Sequence, residues 1–166
     1  MRVPRAGVWV GGVAFVVAAV GVLLGGGAGV GTAAALPVDR EADLAVHGDV
    51  SVREGVVRVR FVPQNHGPAD LADATVHVRW SVPVAEVRAL PGACQQAGTG
   101  AVLCRTGALG AGAKGEPVEM VVRAVGEPDA VSVRIGTEWD GGVADLNPRN
   151  NEHAVLALDT GDTYYF

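Results

Sequence analysis

Two cysteines, Cys94 and Cys104, stand with nine residues between them and without a CxxC companion, so neither a zinc site nor a thioredoxin-like pair is signalled. An even count of two in an exported chain forms one disulfide, and closing a loop of that size stabilises a fold by about 2–3 kcal/mol. The four histidines, His47, His66, His77 and His153, occupy four separate segments with no pair at metal-ligand spacing. His77 is expected as solvated surface. None of the three serines, Ser51, Ser81 and Ser132, lies in a GxSxG elbow. Carboxylates are plentiful, but a Gly-rich chain with 5% aromatic residues is a poor frame for a sugar-cleaving cleft. The chain is therefore read as a non-enzyme that needs no metal or cofactor.

The densest polar group is "DGGVADLNPRNNEHAVLAL", Asp140 to Leu158. A glycan site fails there because no Asn-x-Ser/Thr occurs at Asn147, Asn150 or Asn151. Calcium held by Asp140, Asp145 and Asn147 would need oxygen ligands at a spacing that matches no EF-hand loop. A turn needs only what is present. Asn and Asp bond their own backbone, and Pro148 fixes one dihedral and removes a donor. "NHGPAD" (Asn65, Gly67 and Pro68 foremost) has the same character. The aromatic residues leave more room. Trp80 is assigned to the core, and Trp139 to either the core or a sugar- or partner-binding platform. The tail Thr160–Phe166 carries Tyr164, Tyr165 and Phe166. It either frays or docks a partner or a sheet edge.

Strands must position these residues. "EGVVRVRFVPQ" alternates Val57, Val59 and Phe61 against Arg58 and Arg60; "ATVHVRWSVP" sets Val76, Val78 and Trp80 against His77 and Arg79. "PVEMVVRAV" sets Val118, Met120 and Val122 against Glu119 and Arg123. "AVSVRIGTEW" points Val131, Val133 and Ile135 inward, with Ser132 and Arg134 outward. A period of two marks half-buried antiparallel strands. Weaker strands at "ADLAVHG", "VAEVRAL", "AVLCRT" and "HAVLALD" bring the total to seven or eight. Gly, Pro, Asn and Asp clusters separate them at the spacing of an all-β sandwich.

Residues 1–35 read as a signal peptide: Arg2 and Arg5, a long uncharged apolar run, then small residues at Ala33 and Ala35. The alternative is an uncleaved membrane anchor, since the run exceeds the roughly 20 residues that span a bilayer. Cleavage after Ala35 takes 35 of 166 residues and leaves 131, one domain's worth. It leaves eleven basic residues against eighteen acidic, a formal charge of −7. With Lys114 its single lysine, such a domain has no nucleic-acid footprint. Residues 36–41 read as a lead-in, 42–159 as the sandwich and 160–166 as the tail.

The pieces "ADLAV", "NHGPAD", "LPGAC", "VLCRTGALGAGAKGEPVEMVVR" and "DLNPRNNEHAVLAL" follow in that order over about 120 residues. In this the chain resembles the bacterial cell-surface family called domain of unknown function eleven. That family's pieces are an "ADL", an "NxGP", an "LP" before a cysteine pair, an "LxxGA" and a closing "DxNPxNN". The chain departs from it at "VRWSVP", where members carry a "VTDTLP"-like run. The resemblance implies an immunoglobulin-like antiparallel sandwich, exported and non-catalytic, serving as spacer, stalk or adhesion unit. It implies a secreted or surface location, with an uncleaved N-terminal helix as the alternative tether. Its partner would be a surface protein or a cell-wall component, with membrane contact only through the N-terminal segment. The rival functions are a cell-wall carbohydrate-binding module and, more remotely, a secreted hydrolase or inhibitor.

Overall fold

The computed structural model describes residues 41–166, and the leader and the lead-in up to residue 40 lie outside the described residues. Valine-rich alternation produces strands here because β-branched side chains suit a pleated, half-buried surface. In chain order they are β1 (Glu41–Ala42), β2 (Leu44–Arg53), β3 (Val56–Asn65), β4 (Thr75–Trp80), β5 (Val84–Ala89) and β6 (Cys94–Gln96). Then come β7 (Ala101–Arg105), β8 (Val118–Ala124), β9 (Ala130–Trp139), β10 (Ala144–Asp145), β11 (His153–Leu158) and β12 (Thr163–Tyr165). A 3-10 turn, Pro148–Asn150, is the single helical element among the described residues.

Two five-stranded antiparallel sheets carry the molecule, in the orders β11-β9-β4-β7-β6 and β12-β2-β3-β8-β5. A short parallel pair, β1 with β10, ties the first residues to the acid-amide loop. The sheets share one core, to which Val50, Val59, Phe61 and Met120 contribute from one sheet and Val76, Val78, Val133 and Ile135 from the other. All eight are at most 1% exposed. Burying each such side chain contributes about 1.5–3 kcal/mol. The body is thus all-β and sandwich-like, and its inward set matches the alternation in the sequence. Trp80 joins that core at 8% exposure.

The β2–β3 hairpin turns through Glu54 and Gly55, between the paired residues Arg53 and Val56. Both turn residues have positive φ, 52° and 69°, the conformation of a two-residue hairpin turn whose twist matches its strands. Glycine adopts it freely, but glutamate does so at a cost of about 1 kcal/mol. Glu54→Asn is therefore expected to raise stability by about 0.5–1 kcal/mol in urea unfolding. A neutral or destabilising result would show that Glu54 has a compensating contact.

Three short strands, β1, β6 and β10, escaped the sequence reading. They have two, three and two residues, too few to show a period. The C-terminal tail takes the sheet-edge course expected for it as one alternative and does not fray. Thr163, Tyr164 and Tyr165 pair with Ser51, Val50 and Asp49 of β2. The Phe166 amide donates to the Gly48 carbonyl at 3.0 Å, and the Gly48 amide to the Phe166 carbonyl at 3.1 Å. Tyr164 and Phe166 pack on the core, so the sheet edge they cover and the apolar area they bury together hold the terminus.

Candidate functional site

Cys94 and Cys104 are bonded to each other and are directly paired residues of β6 and β7. The bridge lies within one sheet and fastens its three-residue edge strand to a buried neighbour, Cys104 being 1% exposed. Beside it opens a concavity of about 860 Å³. One wall is the Pro91–Ala93 turn with the start of β6, another is the Glu116–Val118 entry to β8, and Trp139 stands on the side formed by β9.

A β-bulge puts Trp139 there. Thr75 pairs with Trp139 and Val76 with Thr137, so Glu138 is an extra residue in β9. An inserted residue inverts the alternation beyond it. Val131, Val133 and Ile135 point inward, and by parity residue 139 would too; after the bulge its side chain is 49% exposed. The indole lies outside the core. Around it the groove presents Thr75, Gln95, Arg105, Glu116 and Glu138. Arg105 pairs with Asp73, and the Arg79 guanidinium donates to Glu138 at 2.7 Å. The side chains of Gln95 and Glu116 make no hydrogen bond within the described chain.

The amide residues build the opposite kind of feature. Asn65 is fully buried, its Oδ1 accepting from the amides of Asp43 at 3.2 Å and Gly67 at 3.0 Å. Its Nδ2 donates to the carbonyls of Ala69, Leu109 and Gly110, at 2.8, 3.1 and 3.3 Å. Gly67 is required beside it, since a Cβ there would sit 2.6 Å from Ala42 Cα. Pro68 continues that turn, exposed. In the second cluster Asn147 precedes the 3-10 turn and Pro148 starts it. Asn150 Nδ2 donates to Asp43 Oδ1 at 2.7 Å, and Asn151 Nδ2 to Asp145 Oδ2 at 2.9 Å. Asp145 Oδ1 accepts from the Asn147 amide and Asp140 Oδ1 from that of Gly142. Of the oxygens considered for calcium, both of Asp145 and Oδ1 of Asp140 are thus bonded within their own loop. Both clusters meet at Asp43, a convergence the sequence does not display.

The histidines also draw together. The rings of His47 and His66 lie 6.3 Å apart, those of His47 and His153 6.4 Å, and Phe166 lies 5.0 Å from His153. His66 Nε2 shares a hydrogen bond with Gln64 Oε1, and His153 Nε2 donates to the Asn150 carbonyl, both at 3.1 Å. Among the described residues no three His, Cys, Asp or Glu groups are placed to hold a metal. Tyr165 is 80% exposed beside a separate hollow lined also by His47, Arg60 and Phe166. The structure therefore divides the sequence's binding candidates: Trp139 lies in the groove, and Tyr164, Tyr165 and Phe166 lie on the other sheet.

His77 lies on the outer face as expected but is less solvated than expected, its side chain being 13% exposed. The long side chains of Arg79, Glu138 and Glu152 crowd it on the outer face of β4 and β9. Its Nδ1 is 3.4 Å from Glu138 Oε2 but makes no hydrogen bond, being at the limit of range and poorly aligned. Burial first, and Arg79 second, hold its pKa below the ordinary histidine value against the opposing pull of Glu152 and Glu138. A folded-state pKa below the unfolded one means the unfolded chain takes up the proton more readily. This contribution is fully present above about pH 6.5 and is lost as pH falls through the folded value. Stability is expected to decline on acidification below about pH 6.5, and His77→Gln to flatten that decline. Superimposable pH profiles of melting temperature for the two proteins would refute the assignment.

No protein-family model matches the chain, and no curated protein matches it. Among solved structures, β-glucosidase 3B from Thermotoga neapolitana in complex with α-D-glucose is similar over 75% of this chain. The identity is 16% and the TM-score 0.46, and the match spans 17% of that protein's length. Likeness at this level says nothing about activity or ligand.

Proposed function

We propose that the chain is an exported, non-catalytic immunoglobulin-like module with a structural, adhesion or protein-interaction role at a bacterial cell surface. The observation that carries this is the disposition of its polar chemistry. Asn65, Asn150, Asn151, Asp43 and Asp145 are spent on fastening loops to one another. Such investment makes a rigid body with short, pinned connections, as a spacer or adhesion unit needs. The resemblance to domain of unknown function eleven gains physical content from the same network: its "ADL", "NxGP" and "NPxNN" pieces touch through Asp43. The disulfide between Cys94 and Cys104 suits an oxidising compartment. The antiparallel two-sheet body suits an immunoglobulin-like topology, although here the bridge is within a sheet rather than between sheets.

Fractionation of a producing culture, with mass spectrometry of the N-terminus, tests the reading. The protein is expected in the medium, beginning after residue 35, or in the membrane fraction with its leader attached. Cytoplasmic protein with two reactive thiols would defeat it.

A further inference from the structure

We infer that the groove beside the disulfide is a saccharide-binding site, with Trp139 as its stacking platform and Gln95 and Glu116 as its hydroxyl partners. The inference goes beyond the interaction-module reading: it keeps the exported, non-catalytic body and adds to it the carbohydrate binding that the sequence analysis set as an alternative.

Three observations lead there. The first is the bulge at Glu138. It removes a tryptophan from the core that alternation would otherwise have given it, leaving it half-exposed in a concavity. The lost burial is a cost to the fold, and strand bulges that re-aim a side chain concentrate at binding sites. The second is the size of the hollow: about 860 Å³ falls within the range of small-ligand sites. The third is the chemistry of its lining. Gln95 offers an amide with both donors and an acceptor, Glu116 a carboxylate and Thr75 a hydroxyl. None of these three side chains is engaged in a hydrogen bond within the described chain.

Charge and polarity narrow the ligand. Glu138 is neutralised by Arg79, and Arg105 by Asp73, so Glu116 alone adds uncompensated charge to the groove. That single negative charge disfavours a phosphorylated ligand and is too little to hold a strongly basic peptide. A purely apolar ligand would bury Gln95 and Glu116 without partners, at a cost of several kcal/mol. A pyranose ring fits on both counts. Its C–H face is apolar and can lie on an indole, while its hydroxyls radiate outward to amide and carboxylate groups. It is also neutral.

The test uses the full chain and three soluble tetrasaccharides, β-1,4-linked N-acetylglucosamine, glucose and mannose, titrated by calorimetry and tryptophan fluorescence. At least one should bind. Trp139→Ala should then weaken it about thirtyfold, the loss expected for a central aromatic anchor. Glu116→Gln on the exposed groove wall should weaken it severalfold, and Tyr165→Ala in the separate hollow should leave it unchanged. Melting temperatures of all three variants should stay near the parent's, because each side chain is exposed. If none of the probes binds at about 10 mM, or if binding survives both groove substitutions, the saccharide site is refuted. In that event, surface location with capture of a protein partner would leave the module reading standing. Release of shortened sugars from a bound probe would instead sink that reading, since it would make the groove catalytic.

Discussion

Replacing Asn65 by alanine is expected to destabilise the folded chain by about 3–5 kcal/mol, read from the midpoint and slope of urea unfolding. The side chain is fully buried and joins five backbone groups drawn from three segments. Alanine would take the side-chain partner from the Asp43 and Gly67 amides and from the Ala69 carbonyl, while the Leu109 and Gly110 carbonyls keep the amides of Leu71 and Ala113. Each buried group left alone costs about 1–3 kcal/mol. Asn65→Asp separates the two halves of the network. It keeps the oxygen that accepts from Asp43 and Gly67, but turns a carboxylate toward the carbonyls of Ala69, Leu109 and Gly110. Aspartate should therefore be worse than alanine at neutral pH, and should recover partly in acid as the carboxyl gains a donor proton. A loss under about 1 kcal/mol for both variants would show that water replaces the amide readily, and that Asn65 is not the clasp described above.

Val133→Asp is expected to abolish the folded state at room temperature. Val133 is wholly buried in the middle of β9, paired with Trp80 on one side and Val155 on the other. A carboxylate there would face hydrocarbon, and even neutralised by protonation it would cost several kcal/mol. That is comparable to the whole stability of an ordinary domain, about 5–15 kcal/mol. Two companions give the result its meaning. Val133→Ala should cost about 2–3 kcal/mol from lost burial and a cavity. Arg134→Ser, one residue along on the exposed outer face, should stay within about 0.5 kcal/mol. If Val133→Asp melts like the parent protein by circular dichroism, the inward face of β9 has been misassigned.

The two sites differ in how visible they were. At Val133 the fold was legible, because strand alternation is local: each valine's direction follows from its neighbour's, and water enforces it. The same rule misdirects at Trp139, where a single extra residue in β9 inverts the parity. Nothing in "IGTEW" marks that insertion, which exists only through pairing with β4. Gln95 and Glu116 were missed as groove residues for a related reason. They lie 21 residues apart, in β6 and in the loop before β8, and meet only because β6 and β8 lie in facing sheets. His77 was misjudged only in degree: its strand face is indeed outward, but Glu138 approaches it from β9 and it shares a hollow with Arg79 and Glu152.

The sequence by itself determined the all-β class, the inward set of valines, the presence of turns at "NHGPAD" and "DLNPRNN" and the pairing of the two cysteines. Each of these follows from short-range chemistry: side-chain parity, backbone preferences of Asn, Gly and Pro, and a count of two thiols. Tertiary structure alone decided that the two turns are clasped through Asp43, that the aromatic terminus closes a sheet edge, and that Trp139 overlooks a groove. Those outcomes depend on contacts between residues far apart in the chain, whose free energy appears only once two sheets have closed over a common interior.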